Sequence, residues 1–125
     1  MLIDTDVIIW YLRNDKKAVS FVDGLPSFDI SAVTYIEVLQ GIRDKHELKA
    51  WKGFIKDRNI QVLMIDHDVT LKAMYWMEEY VLSHGLRLAD ALIAATADVY
   101  GKDLVTGNIA DYRYIHGLSL KHFLK

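Results

Sequence analysis

Four acidic residues, Asp4, Glu37, Asp90 and Asp111, each stand at or just after the end of an apolar segment. In an open α/β sheet those are the positions that surround the ligand crevice, beyond the carboxyl ends of the strands. Carboxylates gathered in one crevice repel one another by roughly 4 kcal/mol per close pair at an effective dielectric near 20. A cluster of this kind persists only with bound cations or raised pKa values. If the four meet in space, the chain is a metal-dependent enzyme.

Each residue also has an ordinary local explanation. Asp4 follows the apolar run Met1-Leu2-Ile3 and could cap the helix expected from Val7, a task that Thr5 or Asp6 would serve equally well. Asp6 is either a supporting group at the site or only that cap. Thr34-Tyr35-Ile36-Glu37 matches a capping box, in which the glutamate merely bonds back to the cap. Ser31 is an equally good cap and would move Glu37 into the second turn. Asp90 opens an apolar helix, where a carboxylate caps the helix or complements its dipole. Asp111 lies three residues after Asn108, and the two could simply organise a short turn.

The elements that must position these residues alternate between strand and helix patterns, the mark of βαβ units around a parallel sheet. Strands are expected at Met1 to Asp4, Phe28 to Ser31, Gln61 to Ile65, Asp103 to Thr106 and Ser119 to Lys121. Gln61-Val62-Leu63-Met64-Ile65 has the strongest strand character. Helices are expected at Val7 to Leu12, Lys17 to Gly24, a stretch burying Ile36, Leu39 and Ile42, and His46 to Arg58. A long helix should start at a cap on Asp66 or Asp68 and run to about Gly85, burying Val69, Ala73, Trp76, Met77, Tyr80 and Val81. Leu88 to Tyr100 is apolar almost all round and should be buried on most of its surface.

Composition narrows the functional classes. A chain of 125 residues fits one domain, 1–125, with enough length to bury a core, and 52% hydrophobic with 26% charged residues is usual for a soluble globular protein. The absence of cysteine excludes disulfides and thiolate metal sites, which accords with a cytoplasmic setting. No signal-peptide pattern opens the chain, and no apolar run reaches the 18 or so residues a membrane helix needs. A formal net charge of −2 means that a polyanionic substrate would have to be held by local basic residues and by cations. Arg13, Lys16, Lys17 and Arg87, near Asp4 and Asp90 in sequence, are the candidates for phosphate contacts.

Taken in order, the motifs resemble those of PIN-domain ribonucleases, and most closely the toxin of VapBC-type toxin–antitoxin pairs. The similarity runs from Leu2-Ile3-Asp4-Thr5-Asp6-Val7-Ile8-Ile9 through Ser31-Ala32-Val33-Thr34-Tyr35-Ile36-Glu37-Val38-Leu39-Gln40-Gly41 to Leu88-Ala89-Asp90-Ala91-Leu92-Ile93-Ala94-Ala95-Thr96-Ala97. It continues into Leu104-Val105-Thr106-Gly107-Asn108 and Asp111-Tyr112. Two departures are mild: the family commonly has an arginine or aspartate near Gly107-Asn108, and a phenylalanine where Tyr112 stands. The resemblance implies a three-layer α/β/α domain with a parallel sheet of four or five strands. It also implies Asp4, Glu37, Asp90 and Asp111 as catalytic ligands of one or two Mg²⁺ or Mn²⁺ ions. All-oxygen ligation suits such hard cations. Thr5, Asp6, Thr106 and Asn108 would then be supporting groups. The implied reaction is hydrolysis of a structured RNA, a tRNA or rRNA loop, by an activated water, leaving a 5′-phosphate. A homodimer and a VapB-type antitoxin covering the active-site groove are the implied partners.

His46, His67, His84, His116 and His122 share no face or ligand spacing, so no metal role is expected of them. Trp10, Trp51 and Trp76 read as core or dimer-interface residues. Lys45, Lys49, Lys52, Lys56 and Arg58 read as a solvated helix face. The Asp4-Thr5-Asp6 opening also resembles haloacid-dehalogenase-type phosphatases, but the threonine strand comes last here and nothing follows to supply their later lysine and acidic pair. A catalytically inactive PIN domain, binding RNA or protein, is the alternative of a different class.

Overall fold

The computed structural model describes residues 1–125. Five short strands, β1 (Leu2–Ile3), β2 (Asp29–Ser31), β3 (Gln61–Leu63), β4 (Leu104–Thr106) and β5 (Leu120–His122), form one sheet in the order β3-β2-β1-β4-β5. All four pairings are parallel. The chain builds outward from β1 through β2 to β3, then crosses to the other side of β1 to lay down β4 and β5. The strand order therefore reverses between β1 and β4, and a crevice opens beyond the carboxyl ends of that pair.

Six helices cover the two faces: α1 (Thr5–Leu12), α2 (Lys16–Asp23), α3 (Ala32–Gln40), α4 (Lys45–Asp57), α5 (His67–His84) and α6 (Leu88–Val99). The period of two along a strand separates two cores. Leu2 and Leu104 join Val69, Trp76 and the alanines of α6 on one face. Their neighbours Ile3 and Val105, with Ile30, join Val7, Ile8, Val22 and Trp51 on the other. The result is the three-layer α/β/α arrangement implied by the resemblance, with five strands.

Several boundaries and faces differ from expectation. α1 begins at Thr5 rather than Val7, because Asp4 itself occupies its N-cap. α3 is capped by Ser31, whose hydroxyl accepts the Val33 N–H, so Thr34 and Glu37 form no capping box. Its buried face runs through Val33, Thr34 and Val38, and Ile36, expected inside, is 53% exposed. The cause is that α3 meets α6 and the sheet by that face and leaves the Ile36 side uncovered. Gln61–Leu63 is shorter than expected and lies at the sheet edge, paired only with β2, which leaves Met64 and Ile65 in solvent. On α5, Asp66 is the cap, and Val81 is exposed because it lies two turns after Met74 on the same uncovered side of the helix. Trp51 and Trp76 are core residues, as expected.

Candidate active site

Asp4 is set by the sheet. Its backbone N–H continues the β1–β4 ladder by donating to the Val105 carbonyl at 2.9 Å, so its side chain leaves the central strand at the crevice. Asp4 as a residue is 5% exposed. One oxygen accepts the Thr5 N–H at 2.7 Å and the other the Thr106 hydroxyl, from the end of β4, at 2.8 Å. Thr106 in turn accepts the Asn108 N–H at 3.0 Å, which ties the loop after β4 to the same group.

Glu37 comes from the second turn of α3. Its Oε1 accepts the Thr5 hydroxyl at 2.7 Å. Thr5 has one proton and gives it to Glu37, so the fully buried Thr34 hydroxyl, 2.9 Å from Thr5 Oγ1, is the donor in that contact. A two-hydroxyl relay thus fixes the glutamate. Asp90 lies in the first turn of α6, whose N-cap is Arg87 with no side-chain hydrogen bond, so Asp90 is not a cap. Its Oδ1 accepts the Tyr112 hydroxyl at 3.2 Å. Asp111 closes a single 3₁₀ turn, Ile109–Asp111, just after β4.

Asp6 binds its own helix and the opposite loop. Its oxygens accept the Val7 N–H at 2.7 Å and the Gly107 N–H at 3.0 Å. Gly107 allows this approach because a Cβ there would lie 2.4 Å from the Trp10 ring. Trp10 packs against the core beside Phe123, as expected, and its ring also forms one wall of the site. Asp4, Glu37, Asp90 and Asp111, with Thr5, Asp6, Trp10, Arg13 and Asn108, line one pocket of about 450 Å³.

The electrostatics follow from this crowding. Burial, then the charge of Asp6, lifts the Asp4 carboxyl to about 7, against the pull of the Thr106 and Thr5 hydrogen bonds. Burial also raises Asp90, with Asp111 and Glu37 adding repulsion that the Tyr112 hydroxyl partly offsets. Asp6 is raised by burial too. Tyr112, enclosed beside Asp4 and Asp90, is held far above the usual phenol range and stays a neutral donor. Arg13 is the only basic side chain lining the pocket, and none of the chain's ion pairs involves the pocket carboxylates. An all-oxygen, anion-rich pocket with so little counter-charge suits a hard divalent cation. As the side chains stand, no three acidic or histidine groups are close enough to grip one ion directly. Mg²⁺ usually keeps several of its waters, so contacts through water fit the spread of the carboxylates.

The four predicted carboxylates and Thr5, Asp6 and Asn108 are therefore brought together, with Thr106 directly behind Asp4. Of the predicted cations, Arg13 lines the pocket and the charge of Arg87 acts on Asp90. Lys16 and Lys17 do not reach it; they project into solvent from the first turn of α2. No histidine lines the pocket. Sequence reasoning missed Thr34 and Tyr112. Thr34 was visible only as a capping-box partner, and Tyr112 only as a hydroxyl where a phenylalanine is common.

Fold and pocket together define a class, an α/β/α domain with converging carboxylates at the switch point of a parallel sheet. The model of the PIN domain family matches residues 1–114. Ribonuclease VapC10 of Mycobacterium tuberculosis is 33% identical over 115 residues, spanning 87% of this chain and 83% of that protein. A toxin–antitoxin complex from Klebsiella pneumoniae matches with a TM-score of 0.80 at 26% identity, covering 96% of this chain and 94% of that one. VapBC2 from Rickettsia felis, solved with a DNA fragment from its promoter, also matches with a TM-score of 0.80; at 18% identity over 98% of both chains it speaks to the fold alone. The chain belongs to the PIN-domain family, and its likeness within that family is to VapC-type ribonucleases.

Proposed function

We propose that the chain is a Mg²⁺- or Mn²⁺-dependent endoribonuclease and the toxin of a type II toxin–antitoxin pair. The observation that carries this reading is the convergence of Asp4, Glu37, Asp90 and Asp111 on one pocket with almost no protein counter-charge. A divalent cation held there would lower the pKa of a water and neutralise charge on the scissile phosphate and the leaving 3′ oxygen. The chain's own groups prepare for that. Thr106 and the Thr5 N–H fix both oxygens of Asp4, whereas the Thr5 hydroxyl fixes only one oxygen of Glu37 and leaves the other free. Arg13, unpaired at the pocket wall, is placed to meet a substrate phosphate, and its guanidinium suits two-point binding of phosphate oxygens. The substrate is a structured RNA loop, of tRNA or rRNA, cut to leave a 5′-phosphate.

Two surfaces support the partners. A groove of about 560 Å³ between α1, α3 and α4 is lined by Ile9, Leu12, Val38, Ile42 and Trp51, and it shares Arg13 and Glu37 with the acidic pocket. An antitoxin segment lying there would cover the site. On α5, Leu71, Met74, Tyr75 and Leu82 are exposed on the side away from Val69, Ala73 and Trp76. An apolar stripe on each side of one helix fits a homodimer.

The discriminating experiment is incubation of purified protein with RNA in Mg²⁺ or Mn²⁺ and in EDTA. Cleavage that EDTA abolishes is expected. RNA binding without cleavage in either cation, by protein that is folded and normally assembled, would instead establish an inactive binding module. The toxin role predicts growth arrest on expression, relieved by a small co-expressed antitoxin.

A further inference from the structure

Three carboxylates of the pocket each receive a hydroxyl from a different element. Thr106 of β4 serves Asp4 and Thr5 of α1 serves Glu37. The third, Tyr112, serves Asp90, and it differs from the others in how it is held. Tyr112 is 1% exposed and is the largest fully buried side chain of the molecule, packed in the core between the sheet and α6. Its backbone is pinned on both sides: its N–H donates to the Ile109 carbonyl at 3.1 Å, and its carbonyl accepts the Ile115 N–H at 2.9 Å. A phenylalanine would fill the same core volume. The oxygen therefore adds nothing to hydrophobic burial, and a buried hydroxyl is costly unless it is hydrogen-bonded. Its bond is to Asp90 Oδ1, at 3.2 Å, and this is the only hydrogen bond that the Asp90 side chain receives. Asp4 lies beside the same ring, and its charge acts on the Tyr112 hydroxyl together with that of Asp90.

We propose that Tyr112 is a positioning residue, whose hydroxyl holds Asp90 at a fixed separation from Asp4 and reserves Oδ2 of Asp90 for the cation. Without it, Asp90 would be free to turn away from Asp4, as two like charges tend to do. A rigid core thus sets the spacing of two ligands that come from β1 and α6. This inference rests on the divalent-cation reading given above.

The test is Mn²⁺ binding, followed by the loss of the electron paramagnetic resonance signal of the free ion, with no RNA present. Wild-type protein is compared with Tyr112→Phe and with Tyr114→Phe, whose hydroxyl makes no bond to either carboxylate. Near-ultraviolet circular dichroism and the melting temperature in EDTA check the fold. Tyr112→Phe is expected to bind Mn²⁺ roughly 10-fold more weakly, the usual size of an effect transmitted through a ligand's hydrogen-bond partner. Tyr114→Phe is expected to match wild type, and saturating Mn²⁺ to restore RNA cleavage by Tyr112→Phe to within a few-fold. Affinities equal within twofold in wild type and Tyr112→Phe overturn the inference alone, as does an equal loss in Tyr114→Phe. A wild-type protein that binds no Mn²⁺ overturns the cation reading and this inference with it.

Discussion

Replacing Asp4 by asparagine should stabilise the protein at neutral pH when divalent cations are removed, although it deletes a residue from the centre of the site. Asp4 is 5% exposed, and its carboxyl is lifted from 3.8 to about 7 by burial and by the charge of Asp6. A group whose folded pKa is raised holds its proton more tightly in the folded chain than in the unfolded one. Stability from this group is therefore fully present below about pH 4 and is lost as the pH rises to about 7. Three pKa units at 1.36 kcal/mol each give a loss of about 4 kcal/mol by pH 8, as an upper figure. Asparagine escapes that term, but its NH₂ must replace an acceptor that served the Thr106 hydroxyl, at a cost of about 1–2 kcal/mol. The net gain at pH 8 is thus about 2 kcal/mol.

Urea denaturation in EDTA at pH 5, 6, 7 and 8, followed by circular dichroism, measures both curves. The wild-type curve should fall across this range and the Asp4→Asn curve should be flatter, crossing it on the way. Saturating Mg²⁺ or Mn²⁺ at pH 8 should stabilise the wild type by linkage and leave Asp4→Asn nearly unchanged. Parallel curves for the two proteins, with no crossing between pH 5 and 8, would refute the reasoning, because Asp4 would then carry no strained charge.

Three other perturbations test separate links. Glu37→Gln should abolish RNA cleavage with little change in melting temperature, and Thr5→Val, which removes the hydroxyl on Oε1, should lower kcat at least 10-fold; a fully active Glu37→Gln enzyme would remove this residue from the site. Gly107→Ala should cost about 1–3 kcal/mol of stability, read by thermal denaturation, because its Cβ would meet the Trp10 ring at 2.4 Å; in a Trp10→Ala background, itself less stable, the same substitution should cost much less. Light scattering of the wild type should give the mass of a dimer, and the double variant Leu71→Glu, Met74→Glu that of a monomer; a monomeric wild type or an unchanged mass in the variant would overturn the α5 dimer contact.

The fold was largely legible because its signals are local. Met1-Leu2-Ile3, Leu104-Val105-Thr106 and the alanine-rich run after Asp90 could only be buried strands and a buried helix. What the chain could not announce depended on neighbours. Ile36 and Val81 carry the right residue types for a core, yet no element comes to cover them. Gln61 to Ile65 is the most strand-like segment, yet an edge position with a single partner cuts it to three residues. The site shows the same division. Its carboxylates could be found from their places at segment ends. The donors behind them could not, because Tyr112 meets Asp90 across 22 positions and Thr106 meets Asp4 across 102. No periodicity reports contacts at that range.

The local reading of Asp4 as a helix cap was also right, and that is informative. Three other aspartates cap helices here, and each accepts the N–H of the third helical residue: Asp15 from Ala18, Asp44 from Glu47 and Asp66 from Val69. This is the usual capping geometry. Asp4 stands in the same place at α1 but takes only the first N–H, that of Thr5, and turns its other oxygen toward Thr106 and the pocket. If capping were its purpose, the neighbouring geometry shows how this chain does it, and Asp4 does not follow. A carboxylate that is buried, raised to about 7 and turned away from the helix it caps carries a free-energy penalty that helix capping does not explain. A positive charge in the crevice, where Glu37, Asp90 and Asp111 also converge, would relieve that penalty.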